Sequence, residues 1–239
     1  MRTGCPRADH PGTLEPARHP SCLRPTAETP ARTRCQIDIL NHSVQNQGVA
    51  RPLEFERSPV VDRALALFWR KGYQASSLTD LLHAMEIGRS SFYASFGDKR
   101  RLFLECLELF AERTRDILLR ARADHPPVDA LRFFFELTFS GPRRSKAGWG
   151  CMLVNTVLEM AGVDDELSAR ASQLLAGIQG AFDDCLRDAG CNPDRAAELA
   201  SFLMLINEGL RVSSRRKLSH RQQLEQIDTT FRLLRSVTT

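Results

Sequence analysis

Hydrophobic residues recur at helical spacing from residue 60 almost to the end of the chain, and no stretch alternates as a strand would. In the first periodic segment, Val61, Leu65 and Phe68 recur at i, i+4 and i+7, which places them on one helix face. Gly72 follows this segment and supplies a stop signal. The pattern predicts a first helix over Val60–Lys71.

A short second helix follows, and its start is marked by the sequence. Ser77 and Asp80 have the spacing of a capping box, in which each side chain accepts a hydrogen bond from the backbone of the other residue. Gly88 then interrupts the apolar period, and a third short helix is predicted over Arg89–Ser95. Two short helices joined by a tight turn form the helix-turn-helix motif, whose second helix enters the major groove of DNA.

The third helix is expected to turn Phe92 and Phe96 inward and to end at Gly97. Asp98 is a good N-cap for a fourth helix that lasts to about Ala123. At about 1.5 Å per residue this helix is about 39 Å long, enough to join two domains. Its expected apolar stripe is Leu102, Cys106, Leu109, Arg113 and Ile117.

The rest of the chain also has a helical period, interrupted by glycine and proline. The further predicted helices are Val128–Phe139, Gly150–Ala161, Glu166–Asp188, Asp194–Arg211 and His220–Arg235. The chain is therefore predicted to be all-α, with about nine helices. An N-terminal three-helix helix-turn-helix domain is followed by a C-terminal helical bundle.

Each of the last two predicted helices has a wide apolar face. One face comprises Leu199, Phe202, Leu203, Ile206 and Leu210, and the other comprises Leu224, Ile227, Phe231 and Leu234. Periodicity leaves two arrangements open, because such faces can pack inside one protomer or against a second copy of the chain.

Residues 1–49 differ in composition from everything that follows. Six of the twelve prolines lie among them, with few large apolar residues and no regular period. Such a segment buries too little surface to offset its ordering entropy, so we predict a disordered extension. An alternative is that translation starts near Val49, in which case the extension is not part of the native protein.

Composition narrows the class of protein. The net charge of +4 and the pI near 8.8 are compatible with nucleic-acid binding without requiring it. No run of about 18 apolar residues and no secretory signal is present, so we expect a cytoplasmic protein that does not span a membrane. The seven cysteines form no CxxC pair and the six histidines no HxxxH. We therefore expect reduced thiols, no metal site and no cofactor.

The predicted recognition helix begins with side chains suited to DNA. Arg89 can pair with guanine or hold a phosphate, and Ser90 and Ser91 can donate hydrogen bonds to phosphates or bases. Tyr93 offers a hydroxyl to a phosphate. Lys99 stands at a helix start, where the helix dipole disfavours a cation, and a phosphate partner would explain its position. The alternative is that these residues form only the solvated face of a small helical bundle.

Residues from about 51 to 107 closely resemble the DNA-binding domain of the TetR (tetracycline-repressor) family. That family has an apolar first helix ending near Gly-Tyr, a Ser- or Thr-capped second helix and a third helix ending in Tyr-x-x-Phe. The matching segments here are Ala64-Leu-Ala-Leu-Phe-Trp-Arg-Lys-Gly72-Tyr73, Ser77-Leu-Thr-Asp80, Arg89-Ser-Ser-Phe-Tyr93, Phe96-Gly-Asp-Lys99 and Leu102-Phe103. The resemblance implies a DNA-binding domain over residues 50–104 and a ligand-binding and dimerisation domain over residues 105–239.

The resemblance also implies roles for individual residues. Ser77 and Thr79 occupy positions where the second helix meets phosphates, while Tyr93 and Lys99 occupy the usual phosphate-contact positions. Apart from the resemblance, the basic residues Arg51 and Arg57 could extend the positive surface as an N-terminal arm. The recognition helix starts at Arg89. One position departs from the family, because Glu86 stands where glycine is usual, which puts a negative charge near DNA and gives up an easy positive-φ conformer.

In the C-terminal half the resemblance implies a small-molecule pocket and a dimer interface made by the last two helices. The segment from Trp149 to Asn155 resembles part of one group of these regulators, and Phe134 and Phe135 could line the same pocket. The candidate ligand-binding residues are Trp149, Cys151, Met152, Asn155 and Glu159. The alternative is that Cys151 is a buried small hydrophobe and Glu159 a surface charge.

These observations predict a homodimeric transcriptional repressor that binds double-stranded DNA and is released by an unknown small-molecule effector. A redox- or electrophile-sensing regulator that uses Cys151 is the first alternative, with Arg143, Arg144 and Lys146 near enough in sequence to lower the pKa of the thiol. A helical-bundle enzyme is the second, but the chain has no ExxH pair, no HExxH and no clustered carboxylates.

Overall fold

Nine α-helices and no strand make up residues 55–140, 148–215 and 219–238, the part of the chain that our computed structural model describes. Each helix whose bounds were predicted lies within three residues of them, the second lies between Ser77 and Gly88 as expected, and the predicted all-α class is confirmed. None of the described helices is long and apolar enough to cross a membrane. The helices are α1 (Arg57–Lys71), α2 (Leu78–Met85), α3 (Arg89–Phe96), α4 (Lys99–Asp124), α5 (Pro127–Ser140), α6 (Met152–Met160), α7 (Asp165–Asp188), α8 (Pro193–Ser214) and α9 (His220–Thr238).

Local signals account for the ends of the first helices. Ser77 and Asp80 form the predicted capping box, with both backbone-to-side-chain hydrogen bonds at 3.0 Å. The carboxylate of Asp98 caps α4 by accepting from the N–H of Arg101 at 2.8 Å. Gly72 ends α1 with a φ of 86°, a conformation that glycine adopts without a steric penalty.

The N-terminal helices share an aromatic core with the start of α4. Phe68 of α1 meets Phe103 of α4 edge to face, with ring centroids 4.9 Å apart. Phe92 and Phe96 are buried as predicted and fix α3 against this core. The inward face of α3 therefore determines which of its residues point away from the protein.

Helix α4 buries a different set of residues from the predicted stripe. Leu102 and Cys106 are buried, but Leu109, Arg113 and Ile117 are only partly so, and Arg113 pairs with Asp62 of α1 at 2.6 Å. The reason is that α1, α5, α6 and α7 contact α4 on more than one side, which one periodic stripe does not anticipate. The buried apolar residues of α4 are Leu102, Phe103, Cys106, Leu107, Phe110, Ala111, Leu118 and Ala121.

The C-terminal bundle is built around an aromatic cluster. Phe134 and Phe135 of α5 pack against Phe182 of α7, with ring centroids 5.3 and 5.9 Å apart. Phe231 of α9 completes the cluster against Phe135 at 5.3 Å. Both residues that we expected to line a pocket therefore lie in the packed core, where Phe134 and Phe135 are fully buried.

Candidate nucleic-acid interface

Helix α3 presents its polar residues on the side opposite its buried phenylalanines. Arg89 and Ser90 are exposed, Ser91 is half-buried, and the side chain of Tyr93 is 48% exposed. Phe92 lies beneath Tyr93, with the two rings edge to face at 5.5 Å. The predicted recognition residues thus share one accessible surface on a helix that the core holds in place.

Arg89 makes no hydrogen bond or ion pair with any other residue in the described ranges. An exposed guanidinium of this kind can reach a base edge or a phosphate without first breaking an internal contact. Ser90 is likewise exposed beside it on the first turn of α3. This geometry suits the DNA contacts predicted for both residues from the sequence.

The start of α2 offers a more constrained pair. The hydroxyl of Ser77 donates to the carboxylate of Asp80 at 2.8 Å while it accepts the capping bond from the N–H of Asp80. The backbone N–H of Ser77, which donates to the same carboxylate at 3.0 Å, and then the hydroxyl lower the pKa of Asp80 to about 2, and Lys71 at 3.0 Å acts in the same direction. Of the two residues predicted to contact phosphate, Ser77 already uses its hydroxyl in two internal hydrogen bonds, whereas the side chain of Thr79 is exposed.

Lys99 opens α4 with its ammonium group 4.3 Å above the ring of Tyr73. Burial lowers the pKa of Lys99, and the negative charge of Glu159 acts in the opposite direction. A cation over an aromatic face is stabilised by the quadrupole of the ring. Lys99 is thus held over Tyr73 at the junction of α1, α4 and α6 and remains partly exposed.

Glu86 ends α2 in the left-handed conformation, with φ 58° and ψ 41°. The residue that supports this end is Arg63 of α1, which the sequence pattern does not single out. Its guanidinium donates to the carbonyl of Met85 at 2.8 Å and lies 3.6 Å from the carboxylate of Glu86. No local signal could have identified Arg63, because its partners are more than 20 residues away in sequence.

The predicted N-terminal arm is wrong for Arg57. This residue lies in the first turn of α1, where its guanidinium donates to the carboxylate of Glu105 at 2.7 Å and to the carbonyl of Ser95 at 3.3 Å. It also stacks over the ring of Phe96 at 4.5 Å. Arg57 therefore ties α1 to α3 and α4, and Arg51 lies outside the described residues.

The residues predicted to bind a ligand lie around the start of α6 and along it. This helix begins at Met152, so Cys151 is its N-cap residue rather than part of the helix. Cys151 and Met152 are buried, and the amide of Asn155 donates to the carbonyl of Trp149 at 2.8 Å. Glu159 diverges from these residues, because its carboxylate accepts hydrogen bonds from the loop after α1. Ligand contact by this set stays a prediction.

The environment of Cys151 bears on the redox alternative. Burial raises the pKa of the Cys151 thiol, and the nearby guanidinium of Arg211 only partly opposes that effect. A buried, protonated thiol is a weak nucleophile. The basic residues expected to activate it, Arg143, Arg144 and Lys146, lie outside the described residues.

Family comparisons match both halves of the chain. A family model described as "Bacterial regulatory proteins, tetR family" matches residues 60–106. A second, described as "Transcriptional regulator LmrA/YxaF-like, C-terminal domain", matches residues 127–229. Together the two matches span more than half of the 239 residues.

Individual relatives agree with these matches. The chain is 28% identical over 192 residues to the HTH-type transcriptional repressor ComR of Escherichia coli. This alignment covers 77% of this chain and 90% of ComR. It is 29% identical over 135 residues to the HTH-type transcriptional regulator YezE of Bacillus subtilis, covering 56% of this chain and 70% of YezE. Among solved structures, it resembles a cysteine variant of CifR bound to a 26-base-pair operator. The TM-score is 0.60 at 27% identity, over 76% of this chain and 98% of that one.

Proposed function

We propose, because the chain belongs to the TetR family of bacterial DNA-binding transcriptional regulators, that it is a homodimeric repressor which a small-molecule ligand releases from its operator. The observation that carries this proposal is the exposed face of α3, held in place by the buried Phe92 and Phe96. Relatives named as repressors, such as ComR, support repression over activation.

In this proposal α3 is the recognition helix and enters the major groove. Arg89 and Ser90 reach base edges or phosphates from its first turn, while Tyr93 and Thr79 contact the backbone on either side. Lys99 adds a positive charge at the start of α4. Glu86 stands at the turn between α2 and α3, where its negative charge would repel phosphate.

Dimerisation is supported by an apolar stripe on α8 that faces away from the protomer core. Phe202, Leu205 and Val212 have exposed fractions of 43%, 66% and 50%. Gly209 lies between them with open space where a side chain would be, which allows a second helix to approach closely. Exposed apolar patches of this kind mark protein interfaces, and a second copy of the chain is the occupant that a two-half-site operator requires.

The proposed release from DNA by a ligand is supported by the length of α4. One end of this helix carries the DNA-binding unit, and the rest packs against the C-terminal bundle. The two recognition helices of a dimer fit successive major grooves only about 34 Å apart, so a small tilt of α4 prevents binding. The ligand must bind the DNA-incompetent state more tightly, with a coupling free energy of about 1–3 kcal/mol.

Arg89→Ala and Lys99→Ala test the assignment of the interface. Arg89→Ala should weaken operator binding by about 1–3 kcal/mol and relax sequence preference, because a base contact is lost. Lys99→Ala should weaken binding to all sequences alike and reduce the salt dependence by about one phosphate contact. Gel shifts on the DNA upstream of the gene, over a series of salt concentrations, measure both effects.

A matched control is Arg120→Ala, which removes an exposed cation near the far end of α4, about 30 Å from Lys99. This variant should bind the operator as the wild type does. If all three variants bind alike, the residues assigned to DNA contact are wrong. If the wild-type protein does not bind its upstream DNA at all, repression at that site is excluded.

The redox alternative has weaker support, because burial raises the pKa of the Cys151 thiol and so disfavours the reactive thiolate. Cys151→Ser separates the two mechanisms when operator binding is measured with and without hydrogen peroxide. Ligand release predicts that wild type and variant respond alike, whereas thiol sensing predicts that only the wild type responds.

A further inference from the structure

Helix α6 and the residue before its N-cap contact the end of α1 at two points. The indole N–H of Trp69 donates to the carbonyl of Gly150 at 3.1 Å. At the other end of α6, the two carboxylate oxygens of Glu159 accept from the backbone N–H groups of Tyr73 and Gln74, at 3.0 and 2.8 Å. The C-terminal bundle therefore holds the DNA-binding unit at a second place, besides the continuous helix α4.

The Glu159 contact is closely fitted. A β-carbon at position 72 would lie 2.6 Å from a carboxylate oxygen of Glu159, nearer than real contacts allow. Gly72 thus provides both the positive φ that ends α1 and the space that the carboxylate occupies. Hydrogen bonds from two successive amides to one carboxylate are charge-assisted and stronger than neutral ones.

The loop that Glu159 holds leads directly to the start of α2. Ser76 is fully buried, and its hydroxyl donates to the carbonyl of Gly72 at 2.6 Å. Its N–H donates to the carbonyl of Tyr73, and Ser77 follows as the capping residue of α2. Residues 72–77 are therefore a short, internally bonded connection, so a shift at Tyr73 and Gln74 is transmitted to α2.

Glu159 also acts on a cation at this junction, the side chain of Lys99. Its charge favours the protonated form of Lys99, whose ammonium group lies over the Tyr73 ring. Tyr73 in turn packs on Phe103 of α4, with ring centroids 4.8 Å apart. One carboxylate on α6 thus influences the loop before α2 and the first residue of α4 together.

We propose that Glu159 is a positioning residue for DNA binding, through which α6 sets the orientation of α2 and α3 independently of the tilt of α4. This inference rests on the proposed function as a DNA-binding regulator. It assigns to α6 a direct connection with the helix-turn-helix, so that a change in the C-terminal bundle reaches DNA by two routes.

Glu159→Gln is the decisive variant, because it keeps the size of the side chain and replaces one acceptor oxygen by an NH₂ group. In the free protein, hydrogen exchange at the amides of Tyr73 and Gln74 should become at least about tenfold faster. Operator affinity should fall about tenfold, while the oligomeric state stays the same. Glu159→Asp retains the charge and should recover part of both losses.

A control is Glu108→Gln, which removes a carboxylate of α4 that pairs with Arg170 of α7 at 2.8 Å and lies away from the loop after α1. This variant should exchange at Tyr73 and Gln74 as the wild type does and bind the operator normally. An equal loss in both variants would show that any missing carboxylate has the same effect, and would overturn the assignment.

Coupling provides a readout that a purely structural role would leave unchanged. By linkage, operator binding to the wild type should slow hydrogen exchange within α6. This response should be lost in Glu159→Gln, while the response of α4 remains. If the variant keeps both normal affinity and the α6 response, the inference is wrong. Exchange in the free protein needs no DNA, so a failure of the proposed function is distinguishable from a failure of this contact.

Discussion

Glu86 is the one non-glycine residue with positive φ in the described part of the chain. A left-handed conformation costs an L-residue about 1–2 kcal/mol. Glycine avoids this steric cost but loses more chain entropy on folding. The carbonyl before it accepts from Arg63, whose guanidinium also faces the Glu86 carboxylate. That support from α1 holds the strained turn in place beside α3, the proposed recognition helix.

Replacing Glu86 by glycine should therefore stabilise the protein slightly. We expect a gain of up to about 1 kcal/mol, or about 2–4 °C in Tm for a chain of this size, because the backbone strain is removed. The ion pair with Arg63 is exposed and long, so its loss costs little. Thermal unfolding followed by circular dichroism measures the change.

Glu86→Gln separates backbone strain from charge. This variant keeps the left-handed side chain but removes the negative charge, so its Tm should not rise. Both variants should bind operator DNA more tightly at low salt, because a charge that repels phosphate is gone. A Tm increase of equal size in both variants would contradict the strain argument.

Helices α8 and α9 divide their apolar residues between two surfaces. Ile227, Phe231 and Leu234 of α9 are buried within the protomer, where Phe231 meets Phe135 of α5. Ion pairs from Arg132 to Asp228 and from Arg235 to Asp129 border the same contact. The predicted face of α9 thus belongs to the core of one protomer.

Helix α8 contributes to both surfaces. Leu199, Leu203 and Leu210 of its predicted face are buried, whereas Phe202 is exposed. Leu205 and Val212, outside the predicted face, are exposed beside it, and Leu233 of α9 has an exposed fraction of 55%. The proposed dimer surface is therefore this outer stripe of α8 with Leu233, rather than the two faces expected from periodicity.

A charge on the outer stripe of α8 should separate the protomers. Leu205→Glu places a carboxylate in the centre of the proposed interface, where it would be buried without a partner. We expect a monomer by light scattering and a loss of operator affinity of about 100-fold or more, because a monomer binds one half-site without avidity.

Leu119→Glu is the corresponding control on α4, where the leucine is 60% exposed outside this stripe. It should leave the dimer and its operator affinity unchanged. A monomeric wild-type protein, or a Leu205→Glu variant that remains dimeric, would contradict the proposed interface.

The start of α4 and the start of α7 are also joined by charge. Arg100, in the first turn of α4, pairs with Asp164 at 3.3 Å and with Glu166 at 2.7 Å. Asp164 also caps α7 by accepting from the N–H of Leu167 at 3.0 Å. Hydrogen bonds from Arg100, followed by the bond from Leu167, lower the pKa of Asp164. The start of α7 is thereby fixed to the helix that carries the DNA-binding unit.

This pair predicts a specific pH dependence of stability. The folded-state pKa of Asp164 lies below its unfolded value near 3.9, so its contribution is fully present above that value and is lost as pH falls through the lower, folded pKa. Asp164→Asn keeps a capping side chain but removes the charge. Its Tm should be about 2–4 °C lower than that of the wild type at pH 7 if the charge contributes about 1 kcal/mol.

Thermal unfolding of both proteins between pH 7 and pH 3 tests this expectation. The difference between them should shrink as the pH falls below 4, because the wild-type carboxylate becomes protonated. A constant difference over the whole range would mean that Asp164 acts through the cap alone and not through Arg100.

The sequence by itself determined the helices and the family. Helix ends and periods depend on residues within about one or two turns, so they can be recognised along the chain. Examples are the caps at Ser77 and Asp98, the stop at Gly72 and the apolar period of each helix. The motif around Arg89 carried the resemblance that the family comparisons then confirmed. These features are local, and local interactions are what a linear pattern records.

Only the tertiary structure decided which partners the polar residues have and which faces are buried. Glu159 bonds to amides 86 and 85 residues away, Arg57 to a carboxylate 48 residues away, and Arg63 to a carbonyl 22 residues away. Helical period shows that a side chain lies on a face, but the neighbouring helices determine what covers that face. For this reason α4 buries more than one stripe, α8 keeps an exposed one, and the contact from α6 to the loop before α2 has no signature in the sequence.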